Sequence, residues 1–138
     1  MRKVTAAVIL KDGKFFIAKR KEGGSLGGKW EFPGGKLEPD ETPEEGLVRE
    51  ILEELDVRIQ VGAFIGSHRF TNNENEYELL AFRADLSDDY RSMVLSVHDE
   101  IRWIAFEEFE DYDFAPSDLA IIDILKNAFF PYPVQDDI

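Results

Sequence analysis

The stretch GKLEPDETPEEGLVREILEELDV, residues 35–57, decides the fold because it contains a helix with two very different faces. Thr42 can cap this helix, Pro43 suits its first position, and Glu45 completes a capping box. Five apolar residues then recur at helical spacing and form one stripe: Leu47, Val48, Ile51, Leu52 and Leu55. The spacing therefore predicts an amphipathic helix that ends near Leu55 and packs its apolar face on a core.

The opposite face of this helix concentrates negative charge. Glu50, Glu53 and Glu54 are spaced i, i+3 and i+4, so their side chains converge. Three close carboxylates repel one another, and a hard divalent cation such as Mg²⁺, which takes oxygen ligands, would remove that repulsion. Glu41 lies just before the helix and can join the group, while Arg49 can orient one carboxylate through an ion pair. The alternative is a solvated acidic face, because glutamate is a good helix former.

The segments before the helix are predicted to be short strands joined by turns. Gly34 and Gly35 let the backbone come close to a ligand, and a glycine carbonyl there can bind metal, although they can equally serve only the turn. The predicted elements, in order, are a strand at residues 4–10, a turn at 11–14, a strand at 15–19, a glycine-rich loop at 21–29, an extended piece at 30–32 and a break in regular structure at 33–35.

The segments after the helix predict more strands and one further helix. The predicted elements are a strand at 57–70 with a kink at Gly62 or Gly66, a hairpin loop at 71–76, a strand at 77–84, an irregular stretch at 85–97, a strand at 101–105, a helix from Ser117 to Phe129 and a loose tail at 131–138. The last helix is expected to bury Leu119, Ile122, Leu125 and Phe129. The order of elements predicts a mixed sheet between helices.

Composition narrows the class of protein. The 138 residues fit one domain, and 43% hydrophobic residues suffice for a core. No cysteine is present, which excludes disulfides, zinc–thiolate sites and cysteine nucleophiles. The net charge of −13 disfavours long nucleic acid as a partner, although it can equally serve only solubility. The apolar run at residues 4–10 is too short for a signal peptide or a membrane span, and we predict a cytoplasmic protein without membrane contact.

Residues 35–57 resemble the Nudix box, written G(x5)E(x7)REUxEExGU with U an aliphatic residue. Every fixed position matches except that Asp56 stands where the box has glycine. That position lies at the helix C-terminus, where glycine normally takes a left-handed conformation. Aspartate tolerates this conformation better than most residues, so we expect a modest loss of stability and an intact site.

The resemblance extends beyond the box. Residues 30–35 are similar to the lead-in of the MutT-like branch, and Arg20 lies where that branch often has a phosphate-contacting arginine. Residues 115–118 resemble the segment that begins the final helix and carries a base-reading residue, here Asp118, for which a helix cap is the alternative role. Lys36 and Phe70 complete the expected substrate contacts. The resemblance implies one α+β domain over residues 1–138, a Nudix-like α/β/α sandwich with a mixed β-sheet between helices.

The family pattern also implies roles at the acidic face. Glu53 and Glu54 would bind the catalytic metal with the Gly34 carbonyl, and Glu50 would be a further ligand or the general base. Arg49 would hold a carboxylate in place, and Glu41 would support the site or bind a second metal. The expected cofactor is Mg²⁺, with Mn²⁺ as a substitute.

The family often adds a carboxylate from a later loop, for which Asp99 and Glu100 are the candidates and Glu100 is the one assigned as a metal ligand. His98 can be a base, but a lone histidine in a loop is more often incidental, and we interpret it so.

The implied reaction is hydrolysis of a nucleoside triphosphate to a nucleoside monophosphate and pyrophosphate. The substrate class includes oxidised purine nucleotides such as 8-oxo-dGTP and pyrimidine nucleotides such as CTP, and the chain is expected to act as a monomer or homodimer. Two alternatives remain: a Nudix hydrolase of a nucleoside diphosphate sugar or dinucleotide, and a non-catalytic Nudix-fold binding or sensor domain. Degenerate boxes are typical of the latter, whereas Glu50, Glu53 and Glu54 are intact here.

Overall fold

Seven strands form one mixed sheet in the computed structural model, which describes residues 1–129 without the side chains of 128 and 129. The predicted loose tail at 131–138 lies outside the described residues. The strands are β1 (Arg2–Lys11), β2 (Lys14–Arg20), β3 (Trp30–Glu31), β4 (Gly34–Lys36), β5 (Ile59–Asn72), β6 (Asn75–Leu86) and β7 (His98–Ile104).

Two α-helices accompany the sheet, α1 (Pro43–Leu55) and α2 (Pro116–Phe129), together with 3₁₀ turns at Tyr90–Ser92 and Phe106–Asp111. The predicted capping box of α1 is confirmed. Thr42 Oγ1 accepts a hydrogen bond from the Glu45 backbone N–H, and the Glu45 carboxylate accepts one from the Thr42 backbone N–H, both at 3.1 Å. No helix in the described part of the chain combines the length and apolar character that a membrane crossing needs.

The strand β1 lies at the centre of the sheet. It runs parallel to β6 and antiparallel to β2 and β4, while β2 also pairs with β3 and β7, and β5 pairs with β6. The register of the β5–β6 ladder shifts between Val61 and Phe64 and again between Phe64 and Gly66, so the predicted kink in β5 is confirmed at both glycines.

Helices cover both faces of the sheet. Along β1, Ala6 and Val8 belong to one buried cluster and Ala7 and Ile9 to the other, because alternate strand residues point to opposite faces. The cluster with Ala7 contains Leu47, Ile51 and Leu55 of α1, and the cluster with Ala6 contains Ile121, Ile122 and Leu125 of α2. The predicted α/β/α sandwich with a mixed sheet is therefore confirmed.

Two apolar side chains are more exposed than their helical spacing predicted. Leu119 is 51% exposed, because α2 turns Asp118, Ile121, Ile122 and Leu125 inward and leaves Leu119 outside that stripe. The prediction that Leu119 is buried is wrong. Leu52, at the edge of the α1 stripe, is 45% exposed. Phe129 was also predicted to be buried, but its side chain is not among those that the structure describes.

Several segments are more regular than predicted. Gly34 and Gly35 do not break the structure but form β4, which pairs closely with β1: a Cβ on Gly34 would overlap the Thr5 carbonyl. The hairpin loop is shorter than 71–76, with Asn72 paired to Asn75 across two residues of positive φ. The 3₁₀ turn at Phe106–Asp111, which the sequence did not predict, inserts Phe109 into the core.

The start of β7 is the difference that matters most for the site. This strand begins at His98 rather than Ile101, because its residues pair with β2, with His98 opposite Arg20 and Glu100 opposite Lys19. A shift in register separates these two pairs. His98 is therefore a strand residue whose side chain enters the interior.

Candidate active site

The exposed side of α1 carries a network centred on Arg49. The guanidinium Nε donates to Glu41 Oε2 at 2.5 Å, and Nη1 donates to Glu50 Oε2 at 3.0 Å and to Glu53 Oε1 at 3.2 Å. Nη2 donates to the Lys36 carbonyl at 3.1 Å. The predicted ion pair of Arg49 is thus present and includes three carboxylates rather than one. We call these four residues, Glu41, Arg49, Glu50 and Glu53, the Arg49 network.

Arg49 determines the protonation of the carboxylate that lies closest to it. Its hydrogen bonds lower the pKa of Glu41 to about 2. Burial raises the pKa of Glu50, an effect that Arg49 partly opposes. The Glu50 carboxylate also lies against the backbone at Gly35, where a Cβ would overlap it, so a side chain at position 35 would displace this carboxylate.

Glu54 points the other way, into the protein. It is 8% exposed and lies with Glu31 of β3 and His98 of β7 in a group whose potential ligand atoms all fall within 4.8 Å of one another. His98 Nε2 and Glu31 Oε2 are hydrogen-bonded at 2.7 Å, and Arg20 Nε donates to Glu31 Oε1 at 3.2 Å. We call Glu31, Glu54 and His98 the buried cluster.

The buried cluster contains excess negative charge for its surroundings. Burial, followed by the charges of Glu31 and Glu50, raises the pKa of Glu54 to about 8. Glu54 Oε1 is buried and has no hydrogen-bond partner among the described residues. An orphaned carboxylate oxygen beside other carboxylates is an environment that a divalent cation fits, so the residues present are suited to a divalent metal.

A cavity of about 490 Å³ lies beside this cluster. Its wall includes all four residues that were predicted to bind substrate: Arg20, Lys36, Phe70 and Asp118. Glu31, Gly34 and Gly35 also line it, so the cavity adjoins both the buried cluster and the strand that faces Glu50. The four predicted substrate residues thus line one cavity together with Gly34, the one predicted metal ligand in its wall.

The walls of the cavity combine apolar and cationic groups. Phe70 stacks on Tyr77 with ring centroids 5.2 Å apart, and the Lys36 ammonium lies 5.8 Å from the centre of the same tyrosine ring. Aromatic faces suit a nucleobase or ribose, and the Arg20 and Lys36 cations suit phosphate.

Asp118 lies in the first turn of α2 and is 6% exposed. Its Oδ1 accepts a hydrogen bond from the Phe32 backbone N–H at 3.1 Å, so its carboxyl bonds to another element of the fold. This contact differs from the helix-cap alternative, in which the carboxyl would accept from the backbone of α2 itself. Burial and then the charge of Glu31 raise the pKa of Asp118 well above its usual range, which favours a protonated carboxyl that can donate.

The later carboxylates do not join the buried cluster. Glu100 pairs with Lys19 at 3.4 Å and with Arg102, and Asp99 is exposed. The structure therefore brings His98, rather than Asp99 or Glu100, beside the carboxylates. The interpretation of His98 as an incidental loop histidine is wrong, because the residue lies in β7, is 1% exposed and bonds to Glu31.

The sequence analysis also missed Glu31. Its signal is the carboxylate between two buried aromatics in Trp30-Glu31-Phe32, since an acidic side chain in a buried strand needs a partner. The roles predicted for Gly34 and Glu53 as metal ligands remain predictions. Gly34 lies at the cavity wall, and the Glu53 side chain, 56% exposed, contacts Arg49.

Comparison with known proteins places this geometry in a family. The model of the NUDIX domain matches residues 1–124. The chain is 35% identical over 123 residues to the CTP pyrophosphohydrolase of Escherichia coli, covering 89% of this chain and 90% of that protein. It is 30% identical over 124 residues to a putative 8-oxo-dGTP diphosphatase 2 of Mycobacterium tuberculosis, covering 83% and 81%.

A solved structure shows the same architecture. The solution structure of the E. coli ORF135 protein superposes with a TM-score of 0.82 at 32% identity, covering 98% of this chain and 95% of that one. The matched region contains α1, the buried cluster and the cavity. The chain therefore belongs to the NUDIX family.

Proposed function

We propose that this protein hydrolyses a nucleoside triphosphate to a nucleoside monophosphate and pyrophosphate, with Mg²⁺ as cofactor and Mn²⁺ as a substitute. The observation that carries the proposal is the cavity in which Arg20, Lys36, Phe70 and Asp118 line a wall beside the acidic residues of α1. A pyrophosphohydrolase and a diphosphatase among its relatives support the same reaction class. Its compartment and its state as monomer or homodimer stay predictions.

Substrate binding would divide between two ends of the cavity. Arg20 and Lys36 would bind the phosphates, since both present cations at the wall. Phe70 would pack against the base or ribose, and Asp118 would read the edge of the base. The Phe32 N–H occupies one Asp118 oxygen, which leaves the other for a hydrogen bond to the nucleotide.

The chemistry would take place at the acidic side. Glu53, Glu54 and the Gly34 carbonyl would hold the cation, with Glu41 supporting the site or a second ion. A bound divalent cation neutralises phosphate oxygens and lowers the pKa of water near it. Glu50 would accept the proton of the attacking water, because burial raises its pKa and makes it a better base at neutral pH.

The identity of the base is the finer part of the proposal. CTP is the first substrate to test, because the relative named for CTP is matched over a larger share of this chain, 89%, than the relatives named for 8-oxo-dGTP, at 83% and 41%. The alternatives are a nucleoside diphosphate sugar or a dinucleotide as substrate, and binding without catalysis.

A hydrolysis screen tests the proposal. CTP, 8-oxo-dGTP, ordinary nucleoside triphosphates, a nucleoside diphosphate sugar and a dinucleotide are incubated with the protein and Mg²⁺, and pyrophosphate is distinguished from monophosphate among the products. We expect pyrophosphate from a triphosphate and its loss in excess EDTA, because the carboxylates would then repel the phosphates. Glu44→Gln, an exposed change on α1 outside the Arg49 network, is the control. Turnover that survives EDTA undiminished, or no turnover of any triphosphate, contradicts the proposal.

A further inference from the structure

The buried cluster differs in ligand chemistry from an all-oxygen magnesium site. Glu31 and Glu54 offer carboxylate oxygens, whereas His98 offers an imidazole nitrogen within 4.8 Å of both. All three residues are buried, with whole-residue exposures of 9%, 8% and 1%. Imidazole nitrogen is a ligand for transition metals, while Mg²⁺ prefers oxygen and retains several waters.

Two buried atoms of this cluster lack partners. Among the described residues nothing hydrogen-bonds to Glu54 Oε1 or to His98 Nδ1. An unpartnered carboxylate oxygen aimed at two further ligands is costly in a dry interior unless a proton or a cation satisfies it. The cluster therefore needs either a proton or a bound cation to satisfy Glu54 Oε1.

Arg20 and His98 contact different oxygens of Glu31. Arg20 holds Glu31 Oε1 at 3.2 Å, so Oε2 remains for His98 Nε2 at 2.7 Å. The proton shared by Oε2 and Nε2 is the one that a cation between them would replace. Arg20 thereby orients Glu31 toward the centre of the cluster.

We propose that Glu31, Glu54 and His98 form a binding site for a divalent transition metal such as Mn²⁺, with His98 as a nitrogen ligand, and that this site prefers such ions to Mg²⁺. The site shares Glu54 with the proposed catalytic face of α1. It concerns the free protein, so it is measured without nucleotide and can fail or succeed independently of the hydrolysis described above.

Mn²⁺ binding to the full chain, stripped of metal, tests the site. Electron spin echo spectroscopy of protein with less than one equivalent of Mn²⁺ detects nitrogen from a coordinated imidazole. The affinity is obtained separately, from the decrease of the free Mn²⁺ signal as protein is added. We expect imidazole nitrogen in the wild type. In His98→Gln this nitrogen signal is lost and Mn²⁺ affinity falls by roughly tenfold or more. Competition by Mg²⁺ should be weak in the wild type and stronger in the variant.

The chain offers a matched control, because His68 is its other histidine and is exposed. His68→Gln should keep both the nitrogen signal and the affinity. Glu31→Gln should weaken Mn²⁺ binding, because it removes one of the two carboxylates of the cluster. If His98→Gln fails to fold, ring nitrogen shifts of His98 in the wild type on adding Zn²⁺ supply the same information. Absence of imidazole nitrogen in the wild type, its persistence in His98→Gln, or equal affinity for Mg²⁺ and Mn²⁺ overturns the proposal.

Discussion

Glu53 and Glu54 are neighbours in sequence, yet they belong to regions whose charge is balanced in different ways. Glu53 is 56% exposed and lies in the Arg49 network, where one guanidinium contacts three carboxylates. Glu54 is 8% exposed and lies in the buried cluster without a cationic side chain in hydrogen-bond contact. The helix therefore presents carboxylates that share one protein cation on its exposed side, and on its buried side a single carboxylate that still requires a proton or a metal.

Substitution of each glutamate by glutamine is the sharpest test of this difference. We expect Glu54→Gln to lower kcat by roughly 100-fold or more, because it removes an oxygen ligand from a buried site. Its metal-free melting temperature should stay the same or rise, since a buried carboxylate beside two others disappears.

Glu53→Gln should also lower the rate of turnover strongly while changing the stability of the fold only slightly. Its contact with Arg49 is exposed, so its loss should change the free energy of unfolding by about 1 kcal/mol or less. Steady-state rates with metal and thermal melts without it provide both measurements. A large fall in melting temperature with normal turnover, in either variant, would contradict the assignment of these residues to the site.

The two regions should respond to pH in opposite directions. Glu54 has a pKa of about 8 in the folded protein against an ordinary value of 4.5, so the stability from its protonated form is present below pH 4.5 and lost as pH rises through about 8. Urea unfolding in EDTA should show this decline between pH 4.5 and 8, and Glu54→Gln should flatten it. An unchanged slope in that variant would place the decline elsewhere.

Glu41 provides the opposite case. Its pKa is about 2 in the folded protein, so its contribution to stability is present above pH 4.5 and lost as pH falls through about 2. Arg49→Met removes the hydrogen bonds that lower this pKa, and it should therefore weaken the dependence of stability on pH in the acid range. The slope at pH 4.5 to 8 in the same variant serves as the control.

Asp118 extends the comparison to a buried carboxyl whose partner is a backbone N–H. Asp118→Asn keeps the shape but replaces one oxygen by a donor, so at a base-reading contact it should shift preference between bases by about 1–3 kcal/mol. The measurement is kcat/KM of wild type and variant for ordinary and oxidised nucleoside triphosphates. An unchanged ranking of substrates would leave Asp118 as a structural link between α2 and Phe32.

Asp56→Gly should have the smallest effect, because it changes α1 outside both regions. Asp56 has φ 57° and ψ 37°, the left-handed conformation predicted for this position. Glycine adopts it without strain, so stability should rise by about 1 kcal/mol at most and turnover should stay nearly constant. A change in turnover by orders of magnitude would assign Asp56 a role that the geometry does not show.

The parts of the molecule that were predictable from the sequence depend on local spacing. The capping box at Thr42, the left-handed Asp56 and the contact of Arg49 with carboxylates all involve residues within about two helical turns of one another. The α/β/α sandwich was predictable from the spacing of apolar residues in the helices and strands, because each face of the sheet must be covered by other elements.

The buried cluster was not predictable in the same way, because its members come from distant segments. Glu31 and His98 are 67 residues apart in sequence. The polar run His98-Asp99-Glu100 is typical of a loop, and only its pairing with β2 makes it a strand and turns His98 inward. Spacing in one helix showed that Glu50, Glu53 and Glu54 are close, but it did not show that a residue of another strand lies beside Glu54.

The parallel pairing of β1 with β6 has a consequence for the order in which the protein folds. Arg2 pairs with Tyr77 and Ile9 with Ala84, so β1 cannot gain this neighbour until the chain has been synthesised through β6. Until then its buried side chains are available to chaperones, and such distant pairing generally slows folding. His98 follows β6 along the chain, so the site around Glu54 can form only after both partners in this pairing have been synthesised.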